Sequence, residues 1–200
     1  MLADRINAAA RRLPVWPLYL LGALPPLWWL WLGLTGGLGV EPIEVLEHRL
    51  GEAALQILIA GLVVSPLRRH LGVNLIRFRR ALGILAFSYV FLHLLVWLVL
   101  DVQIPAQIWA DIVKRPYITV GMAGFILLLP LVVTSNDRAV RRLGAGWRKL
   151  HRLTYPAVFL GALHYVMLAK GFQFEPLLYL AAVVALLLIR LPRRRGAVTA

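Results

Sequence analysis

Long apolar runs separated by short charged stretches organise this 200-residue chain. The runs lack the strict two-residue alternation of a half-buried strand, and they are apolar on nearly every side rather than along one stripe. A helix that crosses the hydrocarbon core of a bilayer needs about 20 mostly apolar residues. Six runs reach or approach that length, at about 15–35, 46–66, 80–100, 116–134, 150–169 and 174–191. They predict an all-α fold, an integral membrane bundle of six transmembrane helices that forms one domain over 1–200. Pro25 and Pro26 interrupt the first run, Pro66 closes the second and Pro156 lies in the fifth. Prolines are tolerated in spans where neighbouring groups satisfy the freed backbone. The longest connection, about 101–115, reads DVQIPAQIWADIVKRPY with its flanks, and its spacing allows a short interfacial helix.

Composition strengthens this reading. Hydrophobic residues make up 60% of the chain, and the mean hydropathy is +0.77. A soluble domain of this size is not normally so apolar. The absence of cysteine excludes disulfides, thiolate metal sites, iron–sulfur clusters and covalent c-type haem attachment.

The net charge of +13 is a matter of topology rather than of nucleic-acid binding, because the arginines gather between apolar runs and no groove-reading module is present. With six spans, the N-terminal tail, the 67–80 and 135–152 loops and the C-terminal tail share one side. They hold 18 of the 22 Lys and Arg residues, and Arg49, Lys114, Arg115 and Lys170 fall on the other side. The positive-inside rule then makes both termini cytoplasmic. Trp97, Trp109 and Tyr117 are candidates for the outer aromatic belt.

Two histidines, His93 and His164, lie deep in the third and fifth runs. An ionisable side chain at that depth is a functional hypothesis by default, and imidazole is a common axial ligand of haem iron. Each lies 13 residues beyond an inner-boundary residue, Arg80 or His151, which is roughly 20 Å along a helix. Both spans run outward, so the two imidazoles fall at one height in the outer half of the membrane and are candidates to share a metal. Ala157 and Gly161 on the fifth run, with Gly83 and Ala86 on the third, would let a flat macrocycle approach the backbone; small residues also serve plain helix packing. His151 sits at the inner boundary, roughly 140° around the helix from His164. It is either an interfacial side chain or a ligand for a second haem, and Pro156 disturbs the phase between the two. His48 is read as interfacial and His70 as a poor ligand candidate. The basic clusters 68–80 and 138–149 suit topology and anionic lipid, or a haem propionate or flavin phosphate. No glycine-rich dinucleotide motif is present.

The segments HRLGEAALQILIAGLVVSPLRR, RRALGILAFSYVFLHLLVWLVLD, KRPYITVGMAGFILLLPLVVTSND and LGAGWRKLHRLTYPAVFLGALHYV together resemble the MsrQ (YedZ) family of the ferric-reductase-like transmembrane superfamily. The resemblance covers about 45–190. It implies b-type haem, one or two per chain, held by histidines at positions matching His93, His151 and His164. It also implies FMN, for which no residue can be named, and a bacterial inner-membrane location. The implied electron source is a cytoplasmic flavin reductase linked to NAD(P)H, or quinol. The implied acceptor is the periplasmic molybdopterin methionine sulfoxide reductase MsrP, which repairs oxidised envelope proteins. The chain is thereby expected to be an electron-transfer subunit without a substrate-level catalytic site. The alternatives are another cytochrome b, quinol-linked or ferric-reducing, and a non-redox membrane scaffold.

Overall fold

The computed structural model describes residues 2–169 and 171–190, and every described element is helical. Lys170 and the arginines beyond Arg190, which entered the charge count, lie outside the described residues. A short helix α1 (Leu2–Arg12) precedes α2 (Trp16–Leu34) and the long α3 (Pro42–Leu71). A 3-10 turn (Ile76–Phe78) then leads into α4 (Arg79–Leu95), which continues as a π-helical segment (Val96–Val102). The next connection carries α5 (Pro105–Lys114), the helix its spacing allowed, followed by α6 (Pro116–Val133). Two short helices, α7 (Asp137–Leu143) and α8 (Ala145–Leu150), fill the basic connection before α9 (Thr154–Leu168) and α10 (Phe174–Leu188).

Four stretches are long and apolar enough to cross a membrane: Trp16–Leu34, Pro42–Leu71, Ile76–Val102 and Pro116–Val133. The fifth and sixth expected spans are shorter as helices. At 15 residues each, α9 and α10 extend about 22 Å, against a hydrocarbon core of about 30 Å. The fifth run breaks at its start, where a 3-10 turn over His151–Leu153 joins α8 to α9. Pro156 therefore falls in the first turn of α9, where its missing N–H leaves no helical bond unmade.

The core is built from α3, α4, α6, α9 and α10, with Leu58, Leu62, Ala86, Leu128, Val158, Ala162 and Val183 buried together. The most extensive packing occurs within two antiparallel pairs, α3 with α4 and α6 with α9. Gly124 of α6 lies so close to α9 that an added Cβ would sit 3.5 Å from the Leu160 Cβ. The helix α2 is peripheral and buries none of its own residues.

Proline shapes two of the contacts between helices. Pro26 has no N–H to donate to the Gly22 carbonyl four residues back. The Tyr89 hydroxyl donates to that oxygen instead, at 2.7 Å, and thereby fastens α2 to α4. Pro66 likewise frees the Leu62 carbonyl in α3, and the Arg190 guanidinium donates to it from beyond α10. The helix α1 was not anticipated from the sequence. It is tied to the loop after α3 by Asn7, which donates to the Gly72 carbonyl at 2.9 Å and accepts from the Asn74 N–H at 2.7 Å.

Candidate cofactor site

His93 projects from the last turn of α4 and His164 from α9 just before its last turn, the two pairs each supplying one imidazole. Each ring is held by the other helix of its own pair, in the same way. His93 Nδ1 lies 2.9 Å from the Glu47 carbonyl of α3, and His164 Nδ1 lies 2.7 Å from the Tyr117 carbonyl of α6. A carbonyl can only accept, so Nδ1 carries the proton in both rings. Nε2 then holds a free lone pair, the form in which a neutral imidazole binds a metal.

A glycine makes each approach possible. Four residues after each accepting carbonyl stands Gly51 or Gly121. A Cβ at Gly51 would come within 3.1 Å of His93 Nδ1, and one at Gly121 within 2.9 Å of His164 Nδ1. Sequence reading missed both residues. Their only signal is the shared spacing, Glu47–Gly51 and Tyr117–Gly121, and it acquires meaning once the helices that face the histidines are known.

The two ring centroids are 6.2 Å apart and the ring planes cross at 74°. Two metal–imidazole bonds of about 2 Å, plus roughly 1 Å from each nitrogen to its ring centre, also span about 6 Å. The structure thus brings together the two imidazoles that residue counting put at one depth.

Both rings line a cavity of about 850 Å³ between the two helix pairs, within the range of small-molecule and cofactor pockets. Its deeper wall is apolar, with Leu55, Leu58, Val90, Phe125 and Leu128. Ala157 and Gly161 line it, as expected of the fifth run. Gly83 and Ala86 do not line it. Ala86 is fully buried in the core, and the α4 face towards the cavity begins at Val90.

The mouth is polar and carries Glu41, Glu44, Glu47, His48, Asp101 and Arg115. Trp97 and Tyr117, expected in an aromatic belt, instead line the cavity, while Trp109 is exposed. Arg115 is held by Asp111 at 3.1 Å and donates to the Tyr117 hydroxyl at 3.2 Å. That bond and the charge of Asp111 push the guanidinium further up from its ordinary value, so it remains a fixed cation at the mouth. Asp101 reaches the mouth from the π-helical segment, a geometry that often marks functional sites.

His151 is placed elsewhere. It stacks on Trp147 with ring centroids 3.9 Å apart, and its Nε2 lies 3.0 Å from the Thr134 hydroxyl. Trp147 Nε1 donates to the Thr134 carbonyl at 2.9 Å. His151 does not line the large cavity, and the structure does not bring it together with the other pair. His70 lines a separate small cavity at the basic end of the bundle.

The profile of the family described as Ferric reductase like transmembrane component matches residues 47–162, from the first turns of α3 into α9. A protein of Agrobacterium fabrum named protein-methionine-sulfoxide reductase heme-binding subunit MsrQ is 49% identical over 180 residues, covering 90% of this chain and 84% of the relative. Its namesake in Rhizobium meliloti is 50% identical over 183 residues, with the same coverage. The chain belongs to the MsrQ family. It is therefore a ferric-reductase-like membrane protein, and the apolar surfaces of its outer helices face lipid. No solved structure matches it. The region matched by the ferric-reductase-like profile contains His93 and His151 and ends two residues before His164, so the pairing of His93 with His164 rests on the geometry described above.

Proposed function

We propose that this protein is a membrane b-type cytochrome, in which His93 and His164 would hold one haem. The observation that carries the proposal is the pair itself: two imidazoles 6.2 Å apart, each with Nδ1 committed to a backbone carbonyl. Haem supplies one-electron redox chemistry, and the protein supplies ligands, orientation and a low dielectric. Glu47 and Tyr117 orient the rings through their carbonyls, and hydrogen bonding of this kind raises ligand basicity. Gly51 and Gly121 provide the space, while Leu58, Val90 and Phe125 exclude water. Arg115 at the mouth is the natural partner for an anionic edge of the cofactor.

In the wider system, the MsrQ relatives are named as subunits of a methionine sulfoxide reductase. By that kinship we assign this chain to deliver electrons to the periplasmic molybdopterin enzyme MsrP. The donor is a cytoplasmic flavin reductase linked to NAD(P)H, or quinol, and FMN belongs to the same kinship argument. Six spans with both termini cytoplasmic in the bacterial inner membrane agree with the charge distribution; α9 and α10 complete the count as short crossings. A second haem at His151 would require its Nε2 to give up Thr134. A reduced-minus-oxidised optical spectrum of the purified protein tests the main proposal. A b-type spectrum lost in both His93→Ala and His164→Ala is the expected result, and full haem content in either variant would overturn the ligand assignment.

A further inference from the structure

At the basic end of the bundle, away from the histidine pair, four helix ends converge on a second cavity. Arg69 and His70 come from the end of α3, Arg79 from the start of α4, Tyr155 from the start of α9 and Arg190 from just beyond α10. The volume is about 210 Å³, and Ser65, Pro66 and Ile189 complete the lining. Among the described residues, no carboxylate lines it. The contrast with the neighbouring residue is direct, since Arg80 has its own acid, Asp137, at 2.7 Å.

Arg190 is held in place by its neighbours. Arg190 donates through Nη1 to the Tyr155 hydroxyl at 3.2 Å and through Nη2 to the Leu62 carbonyl that Pro66 leaves open. Its guanidinium carbon lies 5.3 Å from the centre of the Tyr155 ring. Its Nε–H is buried without an acceptor among the described residues. A guanidinium is fixed in place by neutral partners, beside a second arginine and with no acid among the described residues of the cavity wall. Like charges gathered this way destabilise the fold unless an anion joins them.

We infer that this cavity is a binding site for a phosphate anion, and that its occupant is the headgroup phosphate of an anionic phospholipid. Arginine matches phosphate through paired N–H donors. Size narrows the choice. The cavity is too small for a whole nucleotide cofactor, since sites for such ligands run from about 300 Å³ upward, yet it is much larger than the roughly 30 Å³ share of one water. Position narrows it further. The cavity lies where the apolar helices give way to the basic loops, the level at which lipid phosphates reside, and Pro66 and Ile189 offer apolar contact to the start of an acyl chain.

The test uses the full chain in detergent after delipidation. Native mass spectrometry follows the binding of phosphatidylglycerol and of zwitterionic phosphatidylcholine. The variants are Arg69→Gln with Arg79→Gln, and a control of equal charge loss on α7, Arg138→Gln with Arg141→Gln. Arg190 is left intact because it holds α10 to α3. The wild type should bind phosphatidylglycerol preferentially. The cavity variant should lose about tenfold or more in affinity while the α7 control keeps it. Arg79→Lys, which retains the charge, should recover part of the loss, and circular dichroism verifies that each variant is helical. Equal losses in the cavity and control variants, or equal binding of the two lipids by the wild type, would overturn the site. The soluble source is tested by inorganic phosphate against chloride at matched ionic strength. Displacement of phosphatidylglycerol by phosphate would support the anion site but reassign its occupant to a soluble phosphate.

Discussion

The Gly121→Ala substitution puts the strongest demand on the histidine cradle. The new Cβ would stand 2.9 Å from His164 Nδ1, 3.1 Å from Cε1 and 3.3 Å from Cγ. Ordinary contact between such atoms begins near 3.4 Å, so the ring must retreat by about 0.5 Å. Metal–ligand distances tolerate only about 0.2 Å, and the retreat also stretches the 2.7 Å bond to the Tyr117 carbonyl. Loss of such an orienting bond costs about 10–100-fold in metal affinity. The helix itself gains, since alanine is favoured over glycine by about 1 kcal/mol in a helix interior. The expected signature is therefore split: haem affinity falls by about 10–100-fold while the melting temperature of the haem-free protein holds or rises. Gly51→Ala should be milder, because its closest approach is 3.1 Å, and Gly83→Ala should be neutral, because nothing lies within 4 Å of its Cβ. Haem titration followed by absorbance, with thermal melts of the haem-free protein, reads both quantities. Wild-type affinity in Gly121→Ala, or an equal loss in Gly83→Ala, would refute the cradle.

Other substitutions probe the remaining parts. His151→Ala should keep the haem spectrum that His93→Ala and His164→Ala abolish; loss of the whole spectrum in His151→Ala would contradict the placement of the site. Arg77 donates to the Ala10 and Arg11 carbonyls at 2.8 and 2.6 Å, so Arg77→Ala should release α1. Hydrogen exchange over residues 2–12 should quicken about fivefold, a modest figure because the arginine is exposed, and unchanged protection would rule out the latch. The hydrogen bond and charge of Arg80 hold the Asp137 carboxyl below its ordinary value. Its contribution is present above about pH 4 and is lost as the pH falls through the lowered value. The stability gap between wild type and Asp137→Asn should therefore be small and should close in acid; a gap that widens there would reverse the sign.

The histidine pair was legible because hydropathy and charge fix a ruler along the chain. Arg80 and His151 mark one boundary, and a constant rise per residue carries the measurement to His93 and His164. What lay between the helices was not legible. Which face of α4 meets the cavity depends on its rotation, and the guess that included Gly83 and Ala86 placed that face one turn too deep. Gly51 and Gly121 resemble ordinary packing glycines until their neighbours are known. Trp97 looked like a membrane-interface residue because its depth was readable and its azimuth was not. The start of α9 was misplaced because Pro156 was read as an interruption within a helix, when it belongs to a first turn.

The arrangement of the cradles bears on assembly. Each helix pair contributes one complete half of the site: a ring, its carbonyl and its glycine. The two halves meet across the cavity and through the shared apolar core, and each pair packs more extensively within itself than against the other. A cofactor ligated from both sides would act as a cross-link between two preformed hairpins. Its binding free energy would be spent on their association, rising with the supply of free cofactor. Insertion would then double as an inspection step, since only a chain with both hairpins correctly formed could close on the metal. A chain left unloaded would lack that cross-link and keep only the shared apolar core to hold the pairs together.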